Sequence, residues 1–296
     1  MYVFNCSIWR VKKPSEFALK FFLITNSPSI AKFATDCGAD RIMVDLEKLG
    51  KAERQGHLDA VMSDHSIKDV AAIRQFATNA EILVRTNPLN PDSKAEIDGA
   101  ISAGANILML PMFRTAAEVA EYSALVSNRV PIMLLAETVA AESNLEACTD
   151  VEGVCEVHIG LNDLSLEMGK RFMFELVVDG TVDRMAEILR RKKMPFGIGG
   201  VARVGEGLLQ AEHILKEHAR LGSSAAILSR TFHRNLPTVE LMEKNMDFRR
   251  EIDLLREAFA SALASGPDDY AENRQQVTQS VNAIRANLPD RSFSNP

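Results

Sequence analysis

The sequence predicts a (β/α)8 TIM barrel of the α/β class with extra C-terminal helices. Two observations predict this fold: short apolar runs of strand length alternate with longer amphipathic stretches, and eight such runs occur along the chain. The runs are almost continuously apolar, which is typical of parallel strands that are covered on both faces. They occupy residues 21–26, 41–47, 81–87, 106–112, 131–138, 156–163, 195–200 and 225–231.

Helix signals fill most of the segments between these runs. Ser27-Pro28 places a capping side chain before a proline at the first helical position, and Thr115 precedes "AAEVAEYSALV". Glycine follows several predicted helices, as at Gly38 and Gly222, where a left-handed residue would end the helix. The segments therefore carry both the start and the stop signals of barrel helices.

A doubly wound open sheet is the main alternative fold. It would need a glycine-rich dinucleotide fingerprint after its first strand. The stretch "GIGGVARVGEG" at 197–207 resembles such a loop, but it comes late in the chain and lacks an acidic partner about 20 residues further on. The pattern therefore favours the barrel.

The chain divides into a catalytic barrel domain over residues 1–235, with strands from about residue 21, and a helical extension over 236–296. Residues 234–262 predict one or two helices, "GPDD" breaks them, and "YAENRQQVTQSVNAIRANL" predicts another. This is more helix than a barrel needs.

Composition limits the classes of function. The 296 residues carry a net charge of −6 without a clustered basic stripe, so neither nucleic acid nor an anionic membrane is expected as a partner. Arg10, Lys12 and Lys13 interrupt any signal-peptide core, and no apolar run approaches the roughly 20 residues that span a bilayer. The four cysteines form no CxxC pair, which argues against a zinc cage. We expect a soluble cytoplasmic protein.

Polar residues stand at the C-terminal ends of the predicted strands, where the catalytic groups of a barrel gather. Asp45 and Glu47 end the second strand and share one of its sides. Arg85 ends the third strand, Glu137 the fifth and Asp163 the sixth. Polar strand ends can merely begin solvated loops, but five charged residues on one rim favour a functional ring.

Glu137 and Asp163, on consecutive strands, favour a hard divalent cation, Mg²⁺ or Mn²⁺, because such ions prefer oxygen ligands. A 2-oxo acid could chelate this cation through its carboxylate and its keto oxygen. Arg85 is then placed to stabilise the enolate oxygen that develops. The alternative is that Glu137 and Arg85 are an ion pair that only braces the rim.

Five motifs resemble the HpcH/HpaI aldolase and citrate lyase β-subunit family: "VDLE", "VRTNP", "GANILMLPMFRTAAEV", "LLAET" and "IGLNDLS", in order on strands two to six. The resemblance spans roughly residues 20–235. It implies that Glu137 and Asp163 bind the metal, that Arg85 polarises the keto oxygen, and that backbone amides around Leu161 and Asn162 hold the substrate carboxylate. It also implies that the C-terminal helices pack against a neighbouring subunit of a homo-oligomer; folding back on their own barrel is the alternative.

The motif after strand two departs from this family. Aldolase members carry a histidine directly after the "D-x-E", used as or with the general base, and the citrate lyase branch has an acidic residue there. This sequence has Lys48. His57, in the loop that follows, is the side-chain candidate for the base, with a hydroxide on the cation as the alternative. His158, within strand six, is expected to be a hydrogen-bonded barrel histidine. The catalytic candidates are Arg85, Asp45, Glu47 and His57.

The sequence therefore predicts a divalent-metal-dependent carbon–carbon lyase, of the class II pyruvate aldolase type, acting on a small 2-oxo acid and an aldehyde. A CoA-thioester lyase of the citrate or malyl type is the first alternative, although the sequence offers no obvious basic cluster for the nucleotide phosphates. A barrel that has lost catalysis and only binds a 2-oxo acid is the second.

Overall fold

The computed structural model describes residues 19–50 and 64–288. Within them, eight parallel strands close into a barrel in the order β1 to β8, and β8 pairs with β1. The predicted (β/α)8 fold is therefore confirmed. The strands are β1 (Lys20–Ile24), β2 (Arg41–Asp45), β3 (Glu81–Arg85), β4 (Ile107–Leu110), β5 (Ile132–Ala136), β6 (Val154–Ile159), β7 (Phe196–Val201) and β8 (Ala225–Leu228).

Helices cover the outside of the barrel and continue beyond its last strand. In the described ranges they are α1 (Pro28–Asp36), α2 (Ile67–Phe76), α3 (Ser93–Ser102), α4 (Ala116–Val126), α5 (Val139–Ser143), α6 (Leu145–Cys148), α7 (Leu161–Glu167), α8 (Glu175–Val178), α9 (Thr181–Arg191), α10 (Ala211–Leu221), α11 (Arg230–His233), α12 (Val239–Asn245), α13 (Phe248–Leu263) and α14 (Pro267–Asn287).

The predicted capping signals lie where the sequence places them. Ser27 caps α1 by accepting the backbone N–H of Ile30, with Pro28 at the first helical position, and Thr115 caps α4. After α10, Gly222 has a φ of +79°, a conformation that favours glycine because it has no Cβ. Local sequence therefore sets these helix boundaries.

Several predicted strands extend too far at their C-terminal ends. β2 ends at Asp45 and β6 at Ile159, so the run 156–163 is not strand to its end. The expectation that Asp163 stands on the tip of strand six was wrong, because Asp163 lies in the first turn of α7. Leu161 and Leu164 gave this turn the apolar pattern of a strand, because both are buried in the outer core, the apolar cluster that the strands share with the surrounding helices.

The interior of the barrel is apolar in its middle and polar at both ends. Its central residues are Phe22, Met43, Leu83, Ile107, Met109, Met133, Leu135 and Ala225. At the amino ends of the strands, the fully buried Arg41 donates to Glu156 at 2.7 Å and to Glu81. The Arg41 guanidinium also lies 4.9 Å from the centre of the Phe22 ring. Each carboxylate thereby offsets the cost of burying this charge.

His158 is the polar exception within the middle of the barrel. Its Nε2–H donates to the carbonyl of Gly199 at 3.0 Å, so the expected hydrogen-bonded barrel histidine is confirmed. Gly197 makes room for the ring, because a Cβ there would lie 2.4 Å from His158 Nδ1. Burial lowers the pKa of His158 to about 4. The ring is therefore neutral at pH 7.

A second histidine, His218 on α10, is buried behind the same part of the barrel. Its Nδ1 lies 2.8 Å from the hydroxyl of Ser223. Burial, with a contribution from His158, lowers the pKa of His218 to about 3. Both imidazoles are thus neutral and enclosed in the native protein.

The C-terminal helix α14 makes contacts with the protein's own barrel. Val277 and Val281 belong to the outer core. Asn273 accepts a 2.8 Å hydrogen bond from His213 Nδ1 and donates to Glu217 at 3.0 Å. Part of α14 is therefore fixed on α10, while the contact with a neighbouring subunit stays a prediction. Across the described ranges, the helices are all too short or too polar to cross a membrane.

The two buried histidines should make the fold sensitive to acid. Their folded-state pKa values lie below the ordinary value of 6.5, so below pH 6.5 the unfolded chain binds more protons than the native state. Stability is therefore complete above pH 6.5 and is lost progressively as pH falls toward 4. We expect His218→Leu to reduce the slope of unfolding free energy against pH, between pH 6 and 4.5, by about 1.4 kcal/mol per pH unit. Urea unfolding at each pH measures this slope, and equal slopes in the two proteins would contradict it.

Candidate active site

Arg85 and Asp45 form the central ion pair of the barrel mouth. The β2–β3 register places the two residues side by side at the ends of their strands. Arg85 Nε and Nη2 each donate to one carboxylate oxygen of Asp45 at 2.8 Å, and Nη1 lies 3.4 Å from Glu47. The side chains of Asp45 and Glu47 are 2% and 1% exposed. The structure thus brings these three predicted residues together.

The charges around Arg85 keep it a permanent cation. Burial alone would lower the pKa of Arg85, but Asp45 and then Glu47 and Glu137 reverse the effect and raise that pKa above its usual range. The fork to Asp45 uses two of the five guanidinium N–H groups. The guanidinium therefore has further donors for a substrate oxygen.

Glu137 follows β5 directly and is almost completely buried. Its Oε1 accepts the backbone N–H of Met112 at 3.2 Å. Met112 has a φ of +55°, so the loop after β4 is bent at this point into a conformation that is uncommon for a side chain with a Cβ. The next residue, Thr138, donates from its hydroxyl to the carbonyl of Phe113 at 2.9 Å. This loop therefore fixes the carboxylate from one side.

Gly160, three residues before Asp163, lies beside Glu137. Gly160 N–H donates to the carbonyl of Ala136 at 3.0 Å, which sets the residue after β6 beside the residue after β5. A Cβ on Gly160 would lie 2.7 Å from Glu137 Cβ and 3.0 Å from Oε2. Gly160 is also the N-cap of α7, which carries Asp163 in its first turn. The missing Cβ therefore allows this segment to pack closely against Glu137.

The donor set at this place suits a hard cation. Glu137 and Asp163 supply carboxylate oxygens, the ligands that Mg²⁺ and Mn²⁺ prefer. The close approach of Gly160 to Glu137 brings the segments that carry the two carboxylates side by side. Among residues 19–50 and 64–288 there is no cluster of three or more His, Cys, Asp or Glu side chains suited to a metal. The protein would therefore contribute two carboxylates and leave the other positions to water and substrate.

Leu161 and Asn162 begin α7, next to Asp163. The first amides of a helix have no carbonyl partner within the helix and favour an anion. The Leu161 side chain is buried in the outer core, so its possible contribution to a ligand is its backbone N–H. The stretch predicted to hold a substrate carboxylate therefore lies within one helical turn of Asp163.

The loop after β2 is described only in part. His57, the predicted base, lies outside the described residues. Lys48, which replaces the expected histidine, is half-exposed, and its Nζ lies 3.6 Å from Asp64. The backbone N–H groups of Lys48 and Leu49 both donate to Asn87 Oδ1, at 2.8 and 2.9 Å.

His65 is a residue of the rim that sequence reasoning missed. Its Nδ1 accepts the backbone N–H of Asp45 at 3.0 Å. This bond requires a lone pair on Nδ1, so a neutral His65 carries its proton on Nε2. The stretch "SDHS" has no periodicity or motif that would have indicated this contact, because it joins residues 20 positions apart.

A cavity of about 250 Å³ lies beside His65, at the carboxyl end of β1. Thr25, Asn26, His233 and Asn235 contribute polar groups to its wall, with apolar side chains around them. Burial and then the charge of Arg230 lower the pKa of His233. This cavity therefore has room for a small molecule beside His65.

The family model for HpcH/HpaI aldolase/citrate lyase matches residues 19–173. Solved structures with a similar fold include an HpcH/HpaI aldolase from Desulfitobacterium hafniense DCB-2, at 16% identity and TM-score 0.58, covering 79% of this chain and 96% of that chain. A family protein from Burkholderia cenocepacia J2315 has 15% identity and TM-score 0.59, covering 82% and 100%. Protein CitE from Mycobacterium tuberculosis, in complex with magnesium and pyruvate, has 16% identity and TM-score 0.57, covering 87% and 98%. At such identities the likeness shows a shared fold. Among curated proteins, none matches the chain in sequence.

The close approach at Gly160 can be tested with a matched glycine. Gly160 and Gly266 are both helix N-caps with negative φ, −84° and −87°, but a Cβ on Gly266 would come no closer than 3.8 Å to Asp269. We expect Gly160→Ala to lose about 1–3 kcal/mol more unfolding free energy than Gly266→Ala, the usual cost of overpacking a buried position. Urea denaturation measures both losses, and equal losses would show that Glu137 can move away without strain.

Proposed function

The chain belongs to the HpcH/HpaI aldolase/citrate lyase family, and from that premise we propose that it is a divalent-metal-dependent carbon–carbon lyase that forms or cleaves a 2-oxo acid through the enolate of pyruvate. The observation that carries the proposal is the rim itself. One guanidinium, Arg85, pairs with Asp45 and Glu47 at the mouth, and the charge of Glu137 also acts on it. Cation, enolate oxygen and substrate carboxylate each find a complementary group there.

Glu137 and Asp163 would hold Mg²⁺ or Mn²⁺ in this proposal. The bound cation would supply Lewis acidity toward the keto oxygen of the substrate. Glu137 enters the site already oriented by the Met112 N–H, so little rearrangement is required of it. Hydrogen bonds that orient a ligating carboxylate typically strengthen its binding.

Arg85 would stabilise the negative charge that develops on the keto oxygen. The two bonds to Asp45 fix the plane of the guanidinium before substrate arrives. A hydrogen-bond donor that needs no reorientation stabilises a developing charge more than a donor that must be ordered during the reaction. Asp45 and Glu47 therefore act on catalysis through the position of Arg85.

The backbone amides of Leu161 and Asn162 would hold the substrate carboxylate. They lie in the first turn of α7, where amide groups and the helix dipole favour an anion. This turn also carries Asp163, so the keto acid would be held next to the cation. Its methyl carbon would then face the remainder of the mouth.

A base is needed to take a proton from that methyl carbon. His65 is a poor base while Asp45 donates to its Nδ1, because its other nitrogen then carries the proton. His57 therefore stays the proposed base. In this proposal His65 instead fixes the backbone of Asp45 and can donate a hydrogen bond from Nε2.

The citrate lyase branch of the family is the second candidate. Lys48 matches neither the histidine of the aldolase members nor the acidic residue of the citrate lyase branch, so this position does not decide between the two. Arg85, Glu137 and Asp163 would serve a thioester enolate in the same way. Titration with CoA separates the two candidates, because only the second requires a site for the nucleotide.

The two carboxylates should be necessary for metal binding. We expect Glu137→Gln or Asp163→Asn to lower Mn²⁺ affinity at least about 10-fold and to leave the fold intact. Each substitution replaces a charged carboxylate ligand with a neutral amide of similar shape. Isothermal titration calorimetry measures the affinity and circular dichroism checks the fold. Glu146→Gln is the control, since Glu146 is 57% exposed and pairs with Arg191. Unchanged affinity in both site variants would place the metal elsewhere.

Proton exchange tests the enolate directly, without knowledge of the aldehyde. With Mg²⁺ or Mn²⁺, the protein should exchange the methyl protons of pyruvate in heavy water, as followed by NMR. Arg85→Lys should slow exchange about 10²-fold or more, because a point charge does not reproduce the guanidinium fork. His57→Ala should slow it similarly if His57 is the base.

Arg250→Lys is the control for the arginine substitution, because Arg250 lies on α13 and pairs with Glu257 at the surface. An effect of Arg85→Lys on KM alone would restrict Arg85 to substrate binding. If the unmodified protein binds pyruvate with metal present but exchanges no protons, the pyruvate lyase proposal is wrong.

A further inference from the structure

The two carboxylates proposed to hold the cation belong to different elements. Glu137 lies between β5 and α5, and Asp163 lies at the start of α7. The relative position of their side chains therefore depends on how the two helix beginnings are joined. Gly160 allows a close approach, but a glycine without a side chain does not hold the segments together.

Glu167 makes that connection. It lies four residues after Asp163 on α7, so both side chains project from the same face of the helix. Its Oε2 accepts the backbone N–H of Val139 at 2.9 Å, and Val139 is two residues after Glu137. One hydrogen bond thereby joins the segment of Asp163 to the segment of Glu137.

The charge of Glu167 interacts favourably with the dipole of α5 and unfavourably with the dipole of its own helix, α7. A carboxylate at the last residue of α7 meets the negative end of that helix dipole, which is unfavourable. The same carboxylate lies at the N-terminus of α5, where an anion is favoured and the first amide lacks a partner within the helix. The stability of α7 alone therefore gives no reason for a glutamate here.

Arg114 connects Glu167 to the loop after β4. Its Nη1 donates to Glu167 Oε1 at 3.1 Å. Two residues earlier, the Met112 N–H donates to Glu137, and between them the Phe113 carbonyl accepts from Thr138. Glu167 is thus linked to the Glu137 segment directly and through this loop.

We propose that Glu167 is a positioning residue that sets the placement of Glu137 relative to Asp163 and so determines the affinity of the cation site. It reaches α5 and Arg114 with its own two oxygens. The inference rests on the proposed function, because it presupposes that Glu137 and Asp163 bind the metal.

Mn²⁺ binding without substrate, measured by electron paramagnetic resonance, is the test. Glu167→Ala should weaken Mn²⁺ affinity about 10-fold or more, the usual effect of removing a group that orients a metal ligand. Glu167→Gln keeps an oxygen for the Val139 N–H but loses the charge, so it should recover part of the affinity and remain about threefold weaker or more. In turnover assays, saturating Mn²⁺ should restore kcat in both variants, while the Mn²⁺ concentration needed for half-maximal activity stays higher than in the unmodified protein.

The controls separate positioning from general stability. Arg114→Gln keeps the Val139 bond, and we expect a smaller effect on Mn²⁺ affinity than for Glu167→Ala. Glu146→Gln removes a surface ion pair of similar kind, Glu146–Arg191 at 2.8 Å, and should leave Mn²⁺ affinity unchanged. Thermal unfolding of the metal-free variants records any loss of stability.

The outcomes also separate this inference from the proposed function. If Glu137→Gln loses Mn²⁺ but both Glu167 variants bind it like the unmodified protein, the positioning role is overturned while the metal site stands. The same holds if their melting temperatures fall with no change in affinity. If the unmodified protein binds no Mn²⁺, or Glu137→Gln has no effect, the proposed metal site and the inference fail together.

Discussion

Arg85 is a cation whose side chain is 13% exposed, and its two bonds to Asp45 fix it at the mouth of the barrel. An isolated charge at this depth would be costly, and a bidentate carboxylate makes it tolerable. The pair depends on the parallel register of β2 and β3, which sets Asp45 opposite Arg85. The same rule of parallel pairing brings β5 and β6 to end together, with Ala136 opposite Ile159. The ion pair and the proposed cation site are therefore two results of one barrel closure.

The two ends of the barrel show why only one of them is suited to a ligand. At the amino ends, Arg41 is fully buried and its charge is paired with those of Glu81 and Glu156. At the carboxyl ends, four carboxylates share the rim with Arg85: Asp45, Glu47, Glu137 and Asp163. The rim is therefore rich in negative charge around one fixed cation. A divalent ion and an anionic substrate together suit such a mixture better than either alone.

Sequence reasoning succeeded where local pattern determines structure. Apolar runs predicted the eight strands, and capping residues such as Ser27 and Thr115 predicted helix starts, because these signals act within a few residues. It failed where the determining contact is distant. The sequence predicted Asp163 on a strand, because the buried leucines around it, which belong to α7, have the apolar pattern of a strand. The Glu167–Val139 hydrogen bond joins residues 28 positions apart. Such contacts exist only once the barrel has closed, so no sequence period can reveal them.

The chain that follows β2 is held at the rim on both sides of residues 51–63. Its beginning is fixed to β3 by Asn87, which accepts the N–H groups of Lys48 and Leu49 and donates to the Leu46 carbonyl at 3.2 Å. Its end is fixed to β2 by His65, which accepts the N–H of Asp45. Both anchors therefore lie on the rim, one on each side of the Asp45–Arg85 pair. His57 stands midway along the chain between Leu49 and His65. The chain on both sides of residues 51–63 is thus held at the rim, and His57 as the base stays a prediction.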